Sequence, residues 1–467
     1  MVNLSRRSAL GVLLGGAAVG LSGGLLAACG GGTTPPGLAS ASASSTASKA
    51  ASQPAAEPTA EAQIPQVQVA QGQTKIEYWT PRGDKVDLEA TLAVMNDYHK
   101  SQDKIRVQPI YVPTTAGTQM SEKLLTSIAA GTPPESAEFD RFIVSAWAAK
   151  NSLTDLSDLA KTAGITADQY FPFSWEEASY KGKLYAMPFD TDTRGIYYNM
   201  DLFKEAGIDK PPTTISELDS LAEKLTKKDG RKFAHWGYSP AFRQSFHFAV
   251  GLQFDGTFYD KGKDLVTADE PKIVEAFTWM KSYADKYNEQ DMEAFASAFG
   301  NQTNDPFLSG QIAMIADGDW ALATIKKFKP DMNFGVAPMP GKNGPASCMA
   351  GGWSQVLPKG VKHSAEGYNW IGYLAGKEGQ RKWNLATLHI PTNIDASNDP
   401  GFRADPKHAM FMDFLKTAKN RPAIPAGQVL WNELGSAQSL VLNGKKSPQE
   451  ALADVSKKAN DEEAKYR

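Results

Sequence analysis

An alternation of strand-like and helix-like segments constrains the fold of this chain more than any other feature. The run KIEYWT at 75–80 is β-rich, and leucine and methionine recur at helical spacing in the VDLEATLAVMNDYHK that follows. A second strand-like run, KIRVQPIYV, leads into the helix-like TQMSEKLLTSIAA and then into SAEFD at 136–140. This order predicts a parallel α/β sheet. Ligands of such sheets bind beyond the carboxyl ends of the strands, so the residues that follow each strand are the first candidates for a site.

Later segments continue the α/β style. Thr214 stands three residues before Glu217 at the start of TISELDSLAEKL, and Ser447 stands three residues before Glu450, so both positions predict a capping box at a helix start. PKIVEAFTWMKSYADKY predicts a third amphipathic helix. A chain of 467 residues exceeds the usual size of a single core, so at least two domains are expected.

Charge and composition exclude several function classes. A formal net charge of −3, without a long run of lysine and arginine, argues against a nucleic-acid partner. Two cysteines, Cys29 and Cys348, are too few for a disulfide framework or a cysteine-based zinc site. The six histidines are scattered, and motifs of serine hydrolases, zinc proteases or phosphate-binding loops are missing. We therefore expect no cofactor, no metal and no catalytic residues.

The N-terminus has the features of an export signal. Arg6 and Arg7 precede an apolar, glycine-rich run that ends in LAAC at Cys29. LAAC resembles the lipobox of bacterial lipoproteins, and SRRSAL resembles a twin-arginine signal. Residues 1–28 are therefore interpreted as the signal peptide and Cys29 as the lipidated residue. Residues 29–73, which contain no aromatic side chain, are interpreted as a disordered tether.

Four stretches, taken together, carry a resemblance to a known family. They are GIYYNMDLFKEAGIDKPPTTISELDSLAEKL at 195–225, GQIAMIADGDWALATI at 310–325, GVAPMPGKNGPASCMAGGWSQVLPKG at 335–360 and AEGYNWIGYLAGKEGQRKW at 365–383. In this order, and behind a lipobox, the chain resembles a family 1 extracellular solute-binding protein (lipoprotein) of a bacterial ABC sugar transporter.

The resemblance implies a two-lobed α/β fold of the periplasmic-binding-protein type (type II), with a ligand cleft between lobes joined by hinge strands. When the two lobes of the family are mapped onto this chain, lobe one covers 74–190 plus 345–395, and lobe two covers 191–344 plus 396–467. The expected protein is a monomer anchored by lipid at the outer face of the bacterial cytoplasmic membrane. It would capture a mono- or oligosaccharide and deliver it to the permease subunits of an ABC transporter.

Aromatic rings beside carboxylates are the expected ligand-binding groups, because sugars present apolar C–H faces and polar hydroxyl edges. Trp320 and Asp140 match family positions that contact ligand, although Asp319 replaces the usual proline before Trp320. Core packing of the tryptophans, a helix-capping role for Asp140 and solvated turn positions for the other aspartates are the competing interpretations. The candidate ligand-binding residues are Trp79, Asp140, Asp190, Asp192, Trp236, Trp320, Gly352, Trp353, Arg421 and Trp431.

Two alternatives stay open from the sequence. The same fold could bind a polyol phosphate, a polyamine or another small polar solute; a phosphate would call on arginines near the cleft, namely Arg82, Arg141, Arg194 and Arg421. A secreted glycan-processing enzyme would instead use paired carboxylates such as Glu176 and Glu177, or Asp190 and Asp192.

Overall fold

The structure is a computed structural model, and it describes residues 64–113, 118–298 and 305–467. The predicted signal peptide, Cys29 and most of the predicted tether lie outside the described residues. Residues 65–73, which the sequence assigns to the tether, lie against the folded body: the amide of Gln108 donates to the Pro65 carbonyl, and the Val67 amide donates to Gln108. In the part of the chain that is described, no helix is both long and apolar enough to cross a membrane.

The strands alternate with helices along the described chain. In chain order they are β1 Thr74–Thr80, β2 Ile105–Tyr111, β3 Ser136–Asp140, β4 Ser179–Tyr180, β5 Lys183–Leu184, β6 Ala186–Pro188, β7 Asp190–Thr191, β8 Arg194–Asn199, β9 Lys227–Asp229, β10 Lys232–His235, β11 Tyr259–Asp260, β12 Leu265–Val266, β13 Met314–Gly318, β14 Phe334–Ala337, β15 Met349–Ala350, β16 Trp353–Val356, β17 Ile390–Pro391 and β18 Lys419–Asn420.

The helices are α1 Lys85–Ser101, α2 Thr118–Ala129, α3 Val144–Ala149, α4 Ser157–Thr162, α5 Pro172–Glu177, α6 Met200–Glu205, α7 Ile215–Leu225, α8 His247–Gln253, α9 Pro271–Tyr287, α10 Glu289–Ser297, α11 Ala321–Phe328, α12 Ser364–Leu374, α13 Lys377–Thr387, α14 Ile394–Ser397, α15 Pro406–Phe414, α16 Gly427–Leu442 and α17 Pro448–Glu463. Both predicted capping boxes form, at Thr214 before α7 and at Ser447 before α17.

The larger sheet has the strand order β2-β1-β3-β16-β6. β1 pairs in parallel with β2 and β3, so the predicted strand–helix alternation from β1 to β3 is confirmed. β16 arrives from late in the chain and pairs antiparallel with both β3 and β6, which makes the sheet mixed. A second sheet, of order β13-β8-β14, is antiparallel.

Three hydrophobic clusters hold most of the buried apolar side chains, and burial of that apolar surface is the main stabilising contribution to the fold. The first cluster draws on 76–189 and 356–383, the second mainly on 196–337, and the third on 248–277 and 424–459. Along the sequence, the buried residues change between the first cluster and one of the other two at three places. These connections lie between Phe189 and Ile196, between Met349 and Val356, and between Trp383 and Ile390. The short pair β7–β17 lies at two of these connections.

Candidate functional site

A cavity of about 430 Å³ opens where these connections meet. Its volume lies within the range of small-molecule sites, at the small end. We call it the tryptophan cavity, because three half-buried tryptophans contribute to its wall. Seven of the predicted site residues line it: Asp140, Asp192, Trp320, Gly352, Trp353, Arg421 and Trp431.

Each of the three tryptophans carries an arginine over its ring. The guanidinium carbon lies 5.1 Å from the ring centroid in the Arg82–Trp353 pair, 5.2 Å in the Arg194–Trp320 pair and 5.2 Å in the Arg421–Trp431 pair. Cation–π contact of this kind is stabilising at distances below about 6 Å. The arginines therefore stabilise the rings at the cavity wall.

Arg82 is the centre of a buried ion-pair network. It donates to Glu138 at 2.6 Å, to Asp190 at 2.6 Å and to Asp87 at 3.1 Å. Burial alone would lower the pKa of Arg82, but the three carboxylates raise it well above its usual value. For Asp190, burial raises the pKa to about 6 although Arg82 opposes that change. The Asp190 carboxylate also accepts from the Trp353 amide at 2.6 Å, so Asp190 positions both Arg82 and Trp353.

Arg421 makes a two-pronged contact with Asp140. The two distances are 2.6 and 3.0 Å, and Asp140 also accepts from the Phe142 amide at the start of a 3-10 turn. Asp140 therefore has the capping role of the competing interpretation, and it also lies in the cavity wall, as the ligand-binding prediction requires. Burial lowers the pKa of Arg421, but Asp140 outweighs that effect and the pKa is raised. Within the described chain, Arg421 Nε is buried and has no acceptor.

Arg194 pairs with Asp192 and also donates to Gln244 at 3.1 and 3.2 Å. Asp319, which replaces the family's proline, is fully buried near this pair. Its carboxylate finds no hydrogen-bond partner in the described residues, and burial together with the negative charge of Asp192 raises its pKa well above the usual value. Helix α11 nevertheless starts directly after Trp320, so the turn forms without the proline.

Gly352 shows why two glycines precede Trp353. Its φ is +135°, a conformation that residues with a Cβ rarely adopt. A Cβ at Gly352 would overlap the carbonyl oxygen of Asp190, and one at Gly351 would lie 2.8 Å from the Asp192 carboxylate. The missing side chains let β16 approach the connection that carries Asp190 and Asp192.

Three predicted site residues do not line the tryptophan cavity. Trp79 is 7% exposed, with Lys123 Nζ at 4.6 Å from its ring centroid. Trp236 is 1% exposed and stacks on Phe233 with ring centroids 4.5 Å apart, inside the second cluster. Asp190 is fully buried directly behind the wall. Trp79 and Trp236 thus follow the core-packing interpretation.

Several lining residues were not among the predicted ligand-binding residues, although the phosphate alternative named Arg82 and Arg194 as arginines near the cleft. They include Arg82, Asp84, Asp87, Arg194, Gln244, Phe246, Met349 and His389. Arg82 follows β1 by two residues, so the rule that ligands bind beyond strand ends could have selected it. Gln244 and Phe246 lie in a loop without a local motif, and no sequence signal marks them. Among described residues, no group of His, Cys, Asp and Glu could hold a metal ion.

The arrangement suits a polar ligand of low net charge. The aromatic rings offer apolar platforms, while the carboxylates and guanidiniums around them offer acceptors and donors. Each lining arginine named above is already paired with a carboxylate. The possible catalytic carboxylates are engaged as well, because Glu177 pairs with Arg141 at 2.7 Å and Asp190 pairs with Arg82.

Comparison with known proteins identifies the family. The family described as bacterial extracellular solute-binding protein matches residues 93–410, more than half of the chain. The sn-glycerol-3-phosphate-binding periplasmic protein UgpB of Escherichia coli K12 is 26% identical over 426 residues, which cover 84% of this chain and 93% of UgpB.

Solved structures resemble most of the chain. CpMnBP1 with mannobiose bound is 26% identical, with a TM-score of 0.76 over 83% of this chain and 100% of that chain. The GacH receptor of Streptomyces glaucescens, solved unliganded and with acarbose, is 22% identical, with a TM-score of 0.72 over 85% and 100% of the two chains. The predicted two-lobed α/β fold is confirmed, and the chain belongs to the bacterial extracellular solute-binding protein family.

Proposed function

We propose that this member of the extracellular solute-binding family is a lipid-anchored receptor that captures a carbohydrate in the tryptophan cavity and delivers it to an ABC permease. The main support for the proposal is the composition of the cavity wall. Three half-buried tryptophan rings lie there beside guanidinium–carboxylate pairs. Sugar rings stack on indoles, and their hydroxyl groups can donate to the carboxylates and accept from the guanidiniums.

Charge pairing favours a neutral ligand. Arg82, Arg194 and Arg421 each have a carboxylate partner, so a phosphate entering the cavity would have to compete with Asp190, Asp192 or Asp140. A sugar hydroxyl can use the remaining lone pairs and N–H groups without breaking these pairs. CpMnBP1 was solved with mannobiose bound and GacH with acarbose bound. Both similar proteins therefore support a carbohydrate ligand for this chain.

Hinge closure is the proposed mechanism of capture. The lobe boundaries predicted from the sequence, 74–190 plus 345–395 and 191–344 plus 396–467, are part of this proposal. The changes of hydrophobic cluster near residues 190, 350 and 390 support three connections between lobes. A ligand that contacts both sides of the cavity stabilises the closed form by its extra affinity for that form. The permease can then distinguish the loaded receptor from the empty one.

The first test is calorimetry with the purified protein and a panel of mono- and oligosaccharides. Trp320→Ala should lower the affinity for the best sugar about tenfold or more, because it removes a stacking platform and its apolar area. Trp175→Ala is the matched control: Trp175 is also half-buried but does not line the tryptophan cavity, so sugar affinity should stay the same. If no sugar binds, or if Trp320→Ala binds as well as the native protein, the carbohydrate proposal is wrong.

A polyol phosphate is the second candidate ligand. Three arginines line the cavity, and the similar protein UgpB is named for sn-glycerol-3-phosphate. Titration with sn-glycerol-3-phosphate distinguishes the two candidates. Binding of the phosphate ester without binding of any neutral sugar would favour this alternative.

A further inference from the structure

A second cavity, of about 680 Å³, lies beside the tryptophan cavity and is the larger of the two. We call it the Phe173 cavity. One side comes from α5 and the other from the segment 248–261, with the segment 419–424 contributing a third wall. Its lining includes Phe173, Glu176, Phe258, Tyr259, Lys261 and Asn420.

Arg421 belongs to the walls of both cavities. Its side chain is 6% exposed and is held by Asp140, with its guanidinium carbon 4.5 Å from the Phe142 ring centroid. Of its N–H groups, Nε lacks an acceptor among the described residues. A buried donor without a partner costs free energy, and because this Nε is itself buried it is not presented to either cavity. The two cavities are therefore neighbours across one positively charged side chain.

The walls of the Phe173 cavity combine the same two kinds of group as the tryptophan cavity. Phe173 and Tyr259 are half-buried, so each ring still presents part of its surface to solvent. Lys261 Nζ lies 3.2 Å from Glu176 Oε1, with the two side chains 79% and 69% exposed. An ion pair this exposed is worth little in water, so it presents no strong barrier to a ligand. Asn420 adds an amide that can both donate and accept.

From this arrangement we propose that the Phe173 cavity is a second carbohydrate subsite, and that the receptor takes an oligosaccharide with sugar units on both sides of Arg421. This inference rests on the proposed function, because it assumes that the tryptophan cavity holds a sugar. The small volume of the tryptophan cavity suits the end of such a chain, while the larger Phe173 cavity accommodates its continuation.

The experiment is calorimetry with manno- and malto-oligosaccharides of two to six units. The native protein should bind the hexasaccharide of the preferred series more tightly than the disaccharide. Phe173→Ala should lower the hexasaccharide affinity by up to about tenfold, the range expected for one aromatic platform, and leave the disaccharide affinity unchanged. Phe334→Ala is the matched control, because Phe334 is also half-buried but lines neither cavity. The melting temperature of each variant reports whether it is folded.

A second pair of variants keeps the test valid if Phe173→Ala does not fold. Lys261→Ala should weaken hexasaccharide binding alone, while Lys263→Ala, an equally exposed neighbour that pairs with Asp260 and lines neither cavity, should change nothing. Equal affinity for short and long sugars, or a Phe173→Ala effect of the same size on both, would overturn the second subsite and leave the proposed function intact. If no sugar of any length binds, both proposals are overturned together.

Discussion

Ionisable side chains buried around the tryptophan cavity are either paired or held neutral. His247 is one of the neutral groups: it is 6% exposed and contacts the Trp431 ring edge-on, with ring centroids 4.8 Å apart. Burial lowers the pKa of His247 to about 3, and the positive charge of Arg421 acts in the same direction. The imidazole is therefore neutral in the folded protein at any pH near neutrality.

This neutrality predicts acid sensitivity. An unfolded histidine has a pKa of about 6.5, so between about pH 6.5 and about pH 3 the unfolded chain binds a proton at His247 that the folded chain does not. The contribution to the free energy of unfolding is complete above about pH 6.5 and falls by up to about 1.4 kcal/mol per pH unit below it. His247→Gln removes this dependence.

Urea unfolding at about pH 7 and about pH 5 measures the effect. The native protein should lose more stability between the two conditions than His247→Gln does, by about 1–2 kcal/mol. His389 and His408 are also buried with lowered pKa values, so the variant keeps part of the acid sensitivity. Parallel losses in the two proteins would show that His247 takes up its proton equally in the folded and the unfolded chain, contrary to this explanation.

At the scale of elements, β16 is the strand that assembles the site. It pairs antiparallel with β3 so that Trp353 lies opposite Asp140, which joins two cavity residues that are far apart in sequence. Gly351 and Gly352 bring the start of β16 against the chain at Asp190 and Asp192. The position of β16 thus depends on backbone approach as well as on strand pairing.

Gly352→Ala tests the close approach. Gly352 and Gly344 have similar φ values, +135° and +143°, but an added Cβ meets nothing within 4 Å at Gly344 and overlaps backbone at Gly352. Gly344→Ala should cost about 1–3 kcal/mol from backbone strain alone. Gly352→Ala should cost clearly more and should also weaken sugar binding, because Trp353 shifts. Equal losses in chemical denaturation would mean that the close approach contributes nothing.

The whole molecule is predicted to stay at the membrane through one residue outside the described structure. Cys29→Ser should release the protein from the membrane fraction, because the acyl chains expected on Cys29 could no longer be attached, while sugar affinity stays unchanged. Cys348→Ser is the matched control, since Cys348 is the other cysteine of the chain and is buried. Immunoblots of separated membrane and soluble fractions report the outcome. Continued membrane association of Cys29→Ser, or loss of sugar affinity, would contradict the anchor-and-tether interpretation.

The sequence by itself determined the local elements and the kinds of residue at the site. Helical periodicity, the capping boxes at Thr214 and Ser447 and the alternation from β1 to β3 follow from interactions within a few residues, so local pattern is sufficient to predict them. The choice of tryptophans and aspartates as candidates likewise followed from chemistry and from the family resemblance.

Only the tertiary structure decided which of these side chains meet. Trp320, Trp353 and Trp431 line one cavity while Trp79 and Trp236 pack into cores, although all five are tryptophans beside or within secondary structure. The direction of each ring depends on contacts between distant parts of the chain, such as the bond from the Trp353 amide to Asp190 across 163 positions. Local sequence does not indicate such a contact, because the contact forms only when strands and helices from separate regions pack together.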